Sequence, residues 1–299
     1  MAEITGETQL VGVFGCPIAH TVSPAMHNAA FAALGLDWCY LPFLVQPERL
    51  EAAVRGLPAL GIRGVNVTIP HKGAVLPLLD ELEEQARLIG AVNTIDQREG
   101  KLKGYNTDGE GFLRALRGAG FEPAGCRAVV LGAGGSARAV TAALIQAGAR
   151  EICLVCRTLS RGEAAARGLR SRGTGSVAVL PWEPASMEAA LGQAELLVNA
   201  TPIGMHPQPE ASPVPGSLLR PGLAVFDLVF NPAETRLVRE AEKRGARGVG
   251  GVVMLVQQGA ISFQLWTGRA APLEIMERAA RQALLGPSAE GNFGGKKNC

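Results

Sequence analysis

One segment limits the possible folds more than any other: RAVVLGAGGSARAV at residues 127–140. An apolar, β-branched run enters a glycine cluster and leaves it as an alanine-rich helical run. Strand, tight turn and helix in that order form half of a βαβ unit, which requires a parallel partner strand. Within the turn, Gly132, Ala133, Gly134, Gly135 and Ser136 lead into Ala137. The spacing is GxGxxG with Ala at the third small position. Gly132 suits the tight turn, Gly134 lets the backbone approach a pyrophosphate, and Ala137 keeps the helix close to the sheet. Unpaired amides and the dipole at the helix N-terminus favour the bound anion. The simpler alternative is a glycine turn without a ligand; the strand before and the helix after favour a dinucleotide.

The same alternation runs along the whole chain. Strand-like runs stand at 10–15, 39–45, 64–69, 127–133, 151–157, 177–180, 196–201 and 223–230, and helical stretches follow most of them. The pattern predicts an α/β fold with largely parallel sheets. At 299 residues the chain exceeds what one hydrophobic core commonly serves, so two domains are expected. The character changes near residue 105. Residues 93–107 read as a hairpin, 109–118 as a helix, and 253–268 and 272–285 as two closing helices. Residues 286–299 hold little apolar material and are expected to form a disordered tail. Ser23-Pro24 is expected to open a helix, with Ser as N-cap and Pro at the first helical position.

Charge and composition exclude several classes. Lys and Arg number 29 against 27 Asp and Glu, leaving a net charge of +2 and no basic field for nucleic acid. No apolar run approaches the ~18–20 residues of a membrane span. The N-terminus lacks the basic region and long apolar core of a secretory signal, so the cytoplasm is the expected compartment. Six cysteines in a chain this long do not suggest a disulfide scaffold. Cys153 and Cys156 lie at an odd offset in a strand-like run and face opposite ways. The four histidines show no HxxxH or HExxH spacing, so no metal site is expected. The acidic run Glu81-Leu82-Glu83-Glu84 reads as a solvated face.

The strand after the glycine turn selects the dinucleotide. Proteins that bind NAD usually carry an acid at its end, for the ribose 2′-hydroxyl. Here it ends Cys156-Arg157-Thr158-Leu159-Ser160-Arg161. Arg157 and Arg161 match phosphate geometry and keep their charge, so the 2′-phosphate of NADP is the natural ligand. Asn199 to Met205 follows another strand end, where ligands collect in open α/β sheets, and Asn199 and Thr201 are expected along the cofactor path.

Three polar clusters precede the cofactor region. Thr21 and Ser23 place two hydroxyls beside a helix N-terminus, an arrangement that suits a carboxylate. Asn66 and Thr68 share one face of a strand, and Lys72 is expected in the first turn of the following helix. There the dipole would favour its neutral form, as a general acid/base lysine requires. Asn93 offers a donor and an acceptor to a hydroxyl, and Asp108 stands at an expected N-cap and domain hinge. A lysine and an aspartate facing each other across a cleft can move a proton to or from an alcohol oxygen. Gln258 can return an amide to the first domain's ligand.

Read together, PIAHTVSP, NVTIPHK, GAVNT, YNTDGEGF, GAGGSARAV, CRTLSR, NATPIGM, FDLVFNPAET and GVVMLVQQ resemble the shikimate dehydrogenase family over residues 9 to about 285. The resemblance implies reversible reduction of 3-dehydroshikimate to shikimate with NADPH. It implies an α/β substrate domain (1–107), a Rossmann-type NADP-binding domain (108–251) and C-terminal helices (252–285) returning to the first. The active-site cleft would lie between the domains. Thr21 and Ser23 would bind the substrate carboxylate. Thr68, Lys72, Asn93, Asp108 and Gln258 would bind its hydroxyls, with Lys72 and Asp108 as the catalytic pair. Gly132 to Ser136 would hold the pyrophosphate, and Arg157, Thr158 and Arg161 the 2′-phosphate. Leu228 and Gly251 would flank the nicotinamide, and Glu84 matches a position sometimes assigned to the cofactor. Three residues depart from the family pattern: Thr21 for Ser, Cys156 for Asn, and Phe230 for a Tyr that touches substrate. The partner is a small molecule, with a homodimer as the assembly considered. Two alternatives stand beside this reading. One is a quinate/shikimate dehydrogenase using NAD; the other is a metabolite-binding regulatory module without turnover.

Overall fold

The computed structural model describes residues 4–170 and 175–285, so the tail expected at 286–299 lies outside the described residues. The chain divides into two compact units, one from Met1–Thr107 with Gln258–Cys299, the other from Asp108–Gln257.

The first unit opens with β1 (Gln9–Gly15), α1 (Ser23–Ala33), β2 (Trp38–Leu44), α2 (Leu50–Ala59) and β3 (Ile62–Val67). It continues with β4 (Glu81–Leu82), α3 (Glu84–Ile89), β5 (Thr94–Arg98) and β6 (Lys101–Tyr105). Among the described residues these strands form one sheet in the order β2-β1-β3-β5-β6-β4. Each return from β1 to β2 and from β2 to β3 passes through a helix, so β1 pairs parallel with both. β5 pairs antiparallel with β3 and with β6, so this sheet is mixed rather than parallel. The cause is local. Glu99 and Gly100 both take positive φ, 51° and 80°, and this two-residue turn closes the hairpin read at 93–107. Phe14, Val65, Val67 and Ile95 of the sheet pack with Val54 and Leu57 of α2 in one core. The acidic run is more than a solvated face. Glu83 caps α3, its carboxylate accepting from the amides of Gln85 and Ala86 at 2.8 and 3.2 Å.

The second unit comprises α4 (Asp108–Gly118), β7 (Arg127–Leu131), α5 (Gly135–Gln146), β8 (Glu151–Cys156), α6 (Leu159–Arg167) and β9 (Ser176–Pro181). It continues with α7 (Pro184–Gly192), β10 (Leu196–Asn199), β11 (Ala224–Asp227), α8 (Arg236–Lys243) and β12 (Arg247–Val249). Its strands run in the order β12-β11-β10-β7-β8-β9, and every neighbouring pair is parallel. The winding reverses between β7 and β10, which is the topological switch point where ligands bind in doubly wound sheets. β12 was not among the strand-like runs, because three residues beginning with Arg carry no apolar run to read. Among the described residues, Cys39, Cys126, Cys153 and Cys156 are free thiols.

The chain closes with α9 (Gly251–Thr267) and α10 (Leu273–Leu285). No helix among the described residues is long and apolar enough to cross a membrane. In the first unit α10 packs on α1, and the far half of α9 covers the sheet, with Trp266 donating its indole N–H to the Ile95 carbonyl at 3.0 Å. His27 of α1 lies inside this packing. Its ring stacks on Tyr40 at 4.4 Å, neither ring nitrogen has a hydrogen-bond partner, and burial lowers its pKa to about 3. The sign of the pH effect follows. Above pH 6.5 the imidazole is neutral in both folded and unfolded chains. As pH falls from 6.5 towards 3 the unfolded chain takes up a proton that the fold refuses, and stability is lost. The loss by pH 5 is about 2 kcal/mol. Accordingly, His27→Phe should lose less melting temperature than the parent between pH 7.5 and 5. Calorimetry showing equal losses would contradict this. The comparison isolates the imidazole, because other groups such as Asp227 contribute equally to both proteins.

Candidate functional site

In the first unit the polar clusters gather at one edge of the sheet, for a topological reason. β1 and β3 are parallel, so the loops leaving them emerge on the same side. β5 is antiparallel to β3, so its start lies there too, and the hairpin returns the end of β6 to that edge. The loops are tied to one another. The Thr68 amide donates to Phe14 O at 2.9 Å, that of Val67 to Asn93 O at 2.8 Å, and that of Val92 to Lys72 O at 2.8 Å. His71 is buried and donates from Nε2 to the Val45 carbonyl at 2.7 Å, pinning the chain beside Lys72.

Two local expectations are corrected here. Lys72 does not sit in the first turn of an α-helix; residues 69–75 form successive turns that lead into a short 3-10 segment at Leu76–Leu78. The helix-dipole argument for Lys72 therefore fails, because too few aligned peptides follow it. Ser23 is not an N-cap. It is the first residue of α1, Val22 occupies the cap position, and no side chain caps the helix. Instead the Thr21 hydroxyl oxygen accepts from the Ser23 amide at 3.3 Å.

Behind this edge runs a buried polar frame. Asn93 is held from both ends of its amide. Its Nδ2 donates to Thr107 Oγ1 at 2.9 Å and to Gln258 Oε1 at 3.2 Å, while its Oδ1 accepts from the Thr107 amide at 2.8 Å. Asn93 and Gln258, far apart in the chain, are thereby brought together. Asn66 donates from Nδ2 to Ser262 Oγ at 3.0 Å and accepts from the Tyr40 hydroxyl at 2.7 Å. Thr21, Ser23, Thr68, Lys72, Asn93 and Gln258 all belong to this unit, as does Glu84, an exposed residue in the first turn of α3. Asp108 and Phe230 belong to the second unit. Asp108 is the buried first residue of α4 rather than a flanking cap, and negative charge is stabilised at that end of a helix.

In the second unit the glycine turn has the geometry a dinucleotide needs. Gly132 takes φ 110°, a conformation open to glycine, and a Cβ there would stand 3.1 Å from the Ala200 carbonyl. Gly134 caps α5 in an extended conformation, and a Cβ added there would meet nothing within 4 Å, which leaves room over the turn. Ala133, Gly135 and Ser136 stand beside it, with the first amides of α5 unpaired by the helix itself. Ala137 is fully buried against the sheet. At the tip of β8, Arg157, Thr158 and Arg161 are exposed. Thr158 stands at the cap of α6 without a side-chain cap bond. Cys156 is buried, with its thiol 3.4 Å from the Thr158 carbonyl. These residues fit an NADP molecule: open backbone and helix amides for the pyrophosphate, and two exposed guanidinium groups for the 2′-phosphate.

A second corner of this unit carries a polar network that sequence reading missed. The Asp227 carboxylate accepts from Asn199 Nδ2 at 2.8 Å, the Val229 amide at 3.0 Å and Thr235 Oγ1 at 2.7 Å. Burial pushes its pKa up to about 6, against three hydrogen bonds that favour the charged form. Asn199 Oδ1 in turn accepts from Thr201 Oγ1 at 2.6 Å. The available signal was an aspartate ending an otherwise apolar strand, AVFD. Leu228 and Gly251 meet at the same corner. A Cβ on Gly251 would lie 2.6 Å from the carbonyl oxygens of both Leu228 and Val229. Gly251→Ala should therefore destabilise the protein by about 1–3 kcal/mol and lower its Tm measurably by calorimetry. An unchanged Tm would show that the Leu228–Val229 backbone yields freely.

Comparison with known proteins places this geometry among relatives. Residues 13–95 match the family model for the shikimate dehydrogenase substrate binding domain, and residues 251–281 match that for the shikimate 5'-dehydrogenase C-terminal domain. The chain is 52% identical over 283 residues to a shikimate dehydrogenase (NADP(+)) of Methanopyrus kandleri, covering 94% of this chain and 98% of the relative. It is 48% identical over 296 residues to the enzyme of that name from Moorella thermoacetica, covering 99% and 100%. Among solved structures, shikimate 5-dehydrogenase from Thermus thermophilus in complex with NADP(H) and shikimate superposes with a TM-score of 0.83. It shares 41% identity, covering 92% of this chain and 99% of that one.

Proposed function

This chain belongs to the shikimate dehydrogenase family, and we propose that it catalyses the reversible NADP-dependent reduction of 3-dehydroshikimate to shikimate. The observation that carries the reading is the coexistence of an open glycine turn with exposed Arg157 and Arg161 in one unit, and a framed hydroxyl-binding edge in the other. The bound nicotinamide supplies the hydride. This chain's residues do the rest. Gly132 to Ser136 hold the pyrophosphate, Arg157, Thr158 and Arg161 the 2′-phosphate, and the corner of Leu228 and Gly251 faces the nicotinamide. Thr21 and Ser23 hold the substrate carboxylate, while Thr68, Asn93 and Gln258 orient the ring through its hydroxyls. Lys72 donates a proton to the carbonyl oxygen during reduction and removes it from the alcohol during oxidation. Asp108 accepts a hydrogen bond from the substrate hydroxyl and favours the cationic lysine. Asn199 and Thr201 shape the cofactor-side loop without reaching the reacting atoms.

The experiment is a four-way kinetic matrix, shikimate or quinate with NADP⁺ or NAD⁺, followed by absorbance of the reduced nicotinamide. The expected result is the highest kcat/KM for shikimate with NADP⁺. Higher kcat/KM for quinate with NAD⁺ would replace this reading by a quinate/shikimate dehydrogenase. Substrate binding without turnover in any arm would leave a metabolite-binding module.

A further inference from the structure

The neighbouring strands β10 and β11 end in register, with Asn199 beside Asp227. Asp227 is fully buried there, and its carboxylate gathers separate stretches of chain. Oδ1 accepts from Asn199 Nδ2 and from the Val229 amide, and Oδ2 accepts from the Thr235 hydroxyl. A carboxylate has two acceptor oxygens, so it can serve donors that arrive from different directions. Asn199 carries the tie onward. Its Oδ1 accepts from the Thr201 amide at 3.1 Å, and a backbone N–H only donates, so the orientation of the side-chain amide is fixed. Nδ2 then donates to Asp227 and, at 3.1 Å, to the Ile203 carbonyl, which closes the loop after β10 on itself. That loop lies on the glycine turn: a Cβ on Gly132 would stand 3.3 Å from Thr201 Cγ2 as well as 3.1 Å from the Ala200 carbonyl oxygen. On its other side Asp227 fixes Val229, whose carbonyl accepts from the Gly251 amide at 3.3 Å.

One buried carboxylate thus joins the pyrophosphate turn after β7 to the corner of Leu228 and Gly251 after β11. Resting on the reading of this unit as the NADP-binding one, we infer that Asp227 is a positioning residue for the cofactor. It holds that corner in a set place relative to the glycine turn, so that the pyrophosphate and the nicotinamide are bound at once. Asp227 acts only through the loops it ties. The adenosine end falls to other groups. Arg157, Thr158 and Arg161 follow β8, and the strand order β11-β10-β7-β8 sets them on the opposite side of β7 from this network. Loss of the carboxylate therefore weakens a whole dinucleotide and spares a ligand that carries the adenosine end alone.

Calorimetric titration of the full chain with NADPH and with adenosine 2′,5′-bisphosphate tests this without turnover. Asp227→Ala should raise Kd for NADPH about tenfold and leave Kd for the bisphosphate within about twofold. Asp227→Asn should bring NADPH binding back to within about threefold of the parent, because its oxygen can face Asn199 and Val229 while its nitrogen donates to the Thr235 hydroxyl. Leu191→Ala, a core change in the same unit, should lower Tm and leave the ratio of the two Kd values unmoved. Equal weakening of both ligands by Asp227→Ala, no weakening of either, or no recovery in Asp227→Asn would overturn the positioning role. So would the same split in Leu191→Ala. Should Asp227→Ala fail to fold, Thr235 decides. Thr235→Val removes one donor at nearly constant shape and should raise Kd for NADPH about threefold, whereas Thr235→Ser keeps the hydroxyl and should not. Equal Kd values in the two Thr235 variants would sink the proposal. A parent that binds neither ligand would instead overturn the reading of this unit as NADP-binding.

Discussion

Lys72→Ala lowers kcat by ~10²-fold or more, while the protein still binds shikimate with little loss. The expectation rests on chemistry and on placement. Hydride arriving at a carbonyl carbon leaves an oxyanion that must be protonated, and a positioned donor commonly contributes 10²–10⁴-fold. Lys72 is half-buried, in turns fastened to neighbouring loops through His71 on Val45 and through its own carbonyl on the Val92 amide. The backbone under the ammonium is therefore fixed even though no α-helix supports it. Calorimetric titration with shikimate and steady-state kinetics on one preparation separate binding from turnover. A variant that keeps full kcat would take Lys72 out of the mechanism. Loss of binding with kcat preserved would make it a binding residue only.

The second large effect falls on cofactor choice. Removing both guanidinium groups, in Arg157→Ala/Arg161→Ala, should raise KM for NADP⁺ by about 10- to 100-fold and leave that for NAD⁺ within about twofold. Charge-assisted hydrogen bonds to a phosphate are worth about 1.5–3 kcal/mol each when desolvated, and solvent screening at these two exposed arginines lowers the pair together to about 1.4–2.7 kcal/mol. Both arginines are exposed at the end of β8 and the start of α6, so their loss creates no cavity and should leave Tm nearly unchanged. Equal increases for both dinucleotides would point to general damage to α6. No change for NADP⁺ would move the 2′-phosphate elsewhere.

Much of the architecture was legible in the linear text because it depends on local rules. The run 127–137 announces a strand, a left-handed glycine and a helix through side-chain size alone. The hairpin at 93–107 was legible from its turn residues. Apolar runs buried on both faces mark the central strands of the second sheet. Where an element is short or polar, as at Arg247–Val249 and Glu81–Leu82, no such signal exists and the partner strand makes the element. Local rules also misled. Ser23-Pro24 has the composition of a cap, yet Ser23 is already the first residue of α1 and the cap position falls to Val22. Pro70-His71-Lys72 has the look of a helix start, yet successive turns carry the chain to Leu76.

By itself the sequence determined which segments extend and which coil, and where a phosphate-bearing ligand can sit. All of these follow from interactions within a few residues. The tertiary structure alone decided that the first sheet is mixed, that Asn93 meets Gln258, and that Asp227 gathers Asn199, Val229 and Thr235. Those pairings join residues up to 165 positions apart. A hydrogen bond over such a separation leaves no periodic or compositional mark on either partner, and it forms only once strand order and helix packing have brought the two together.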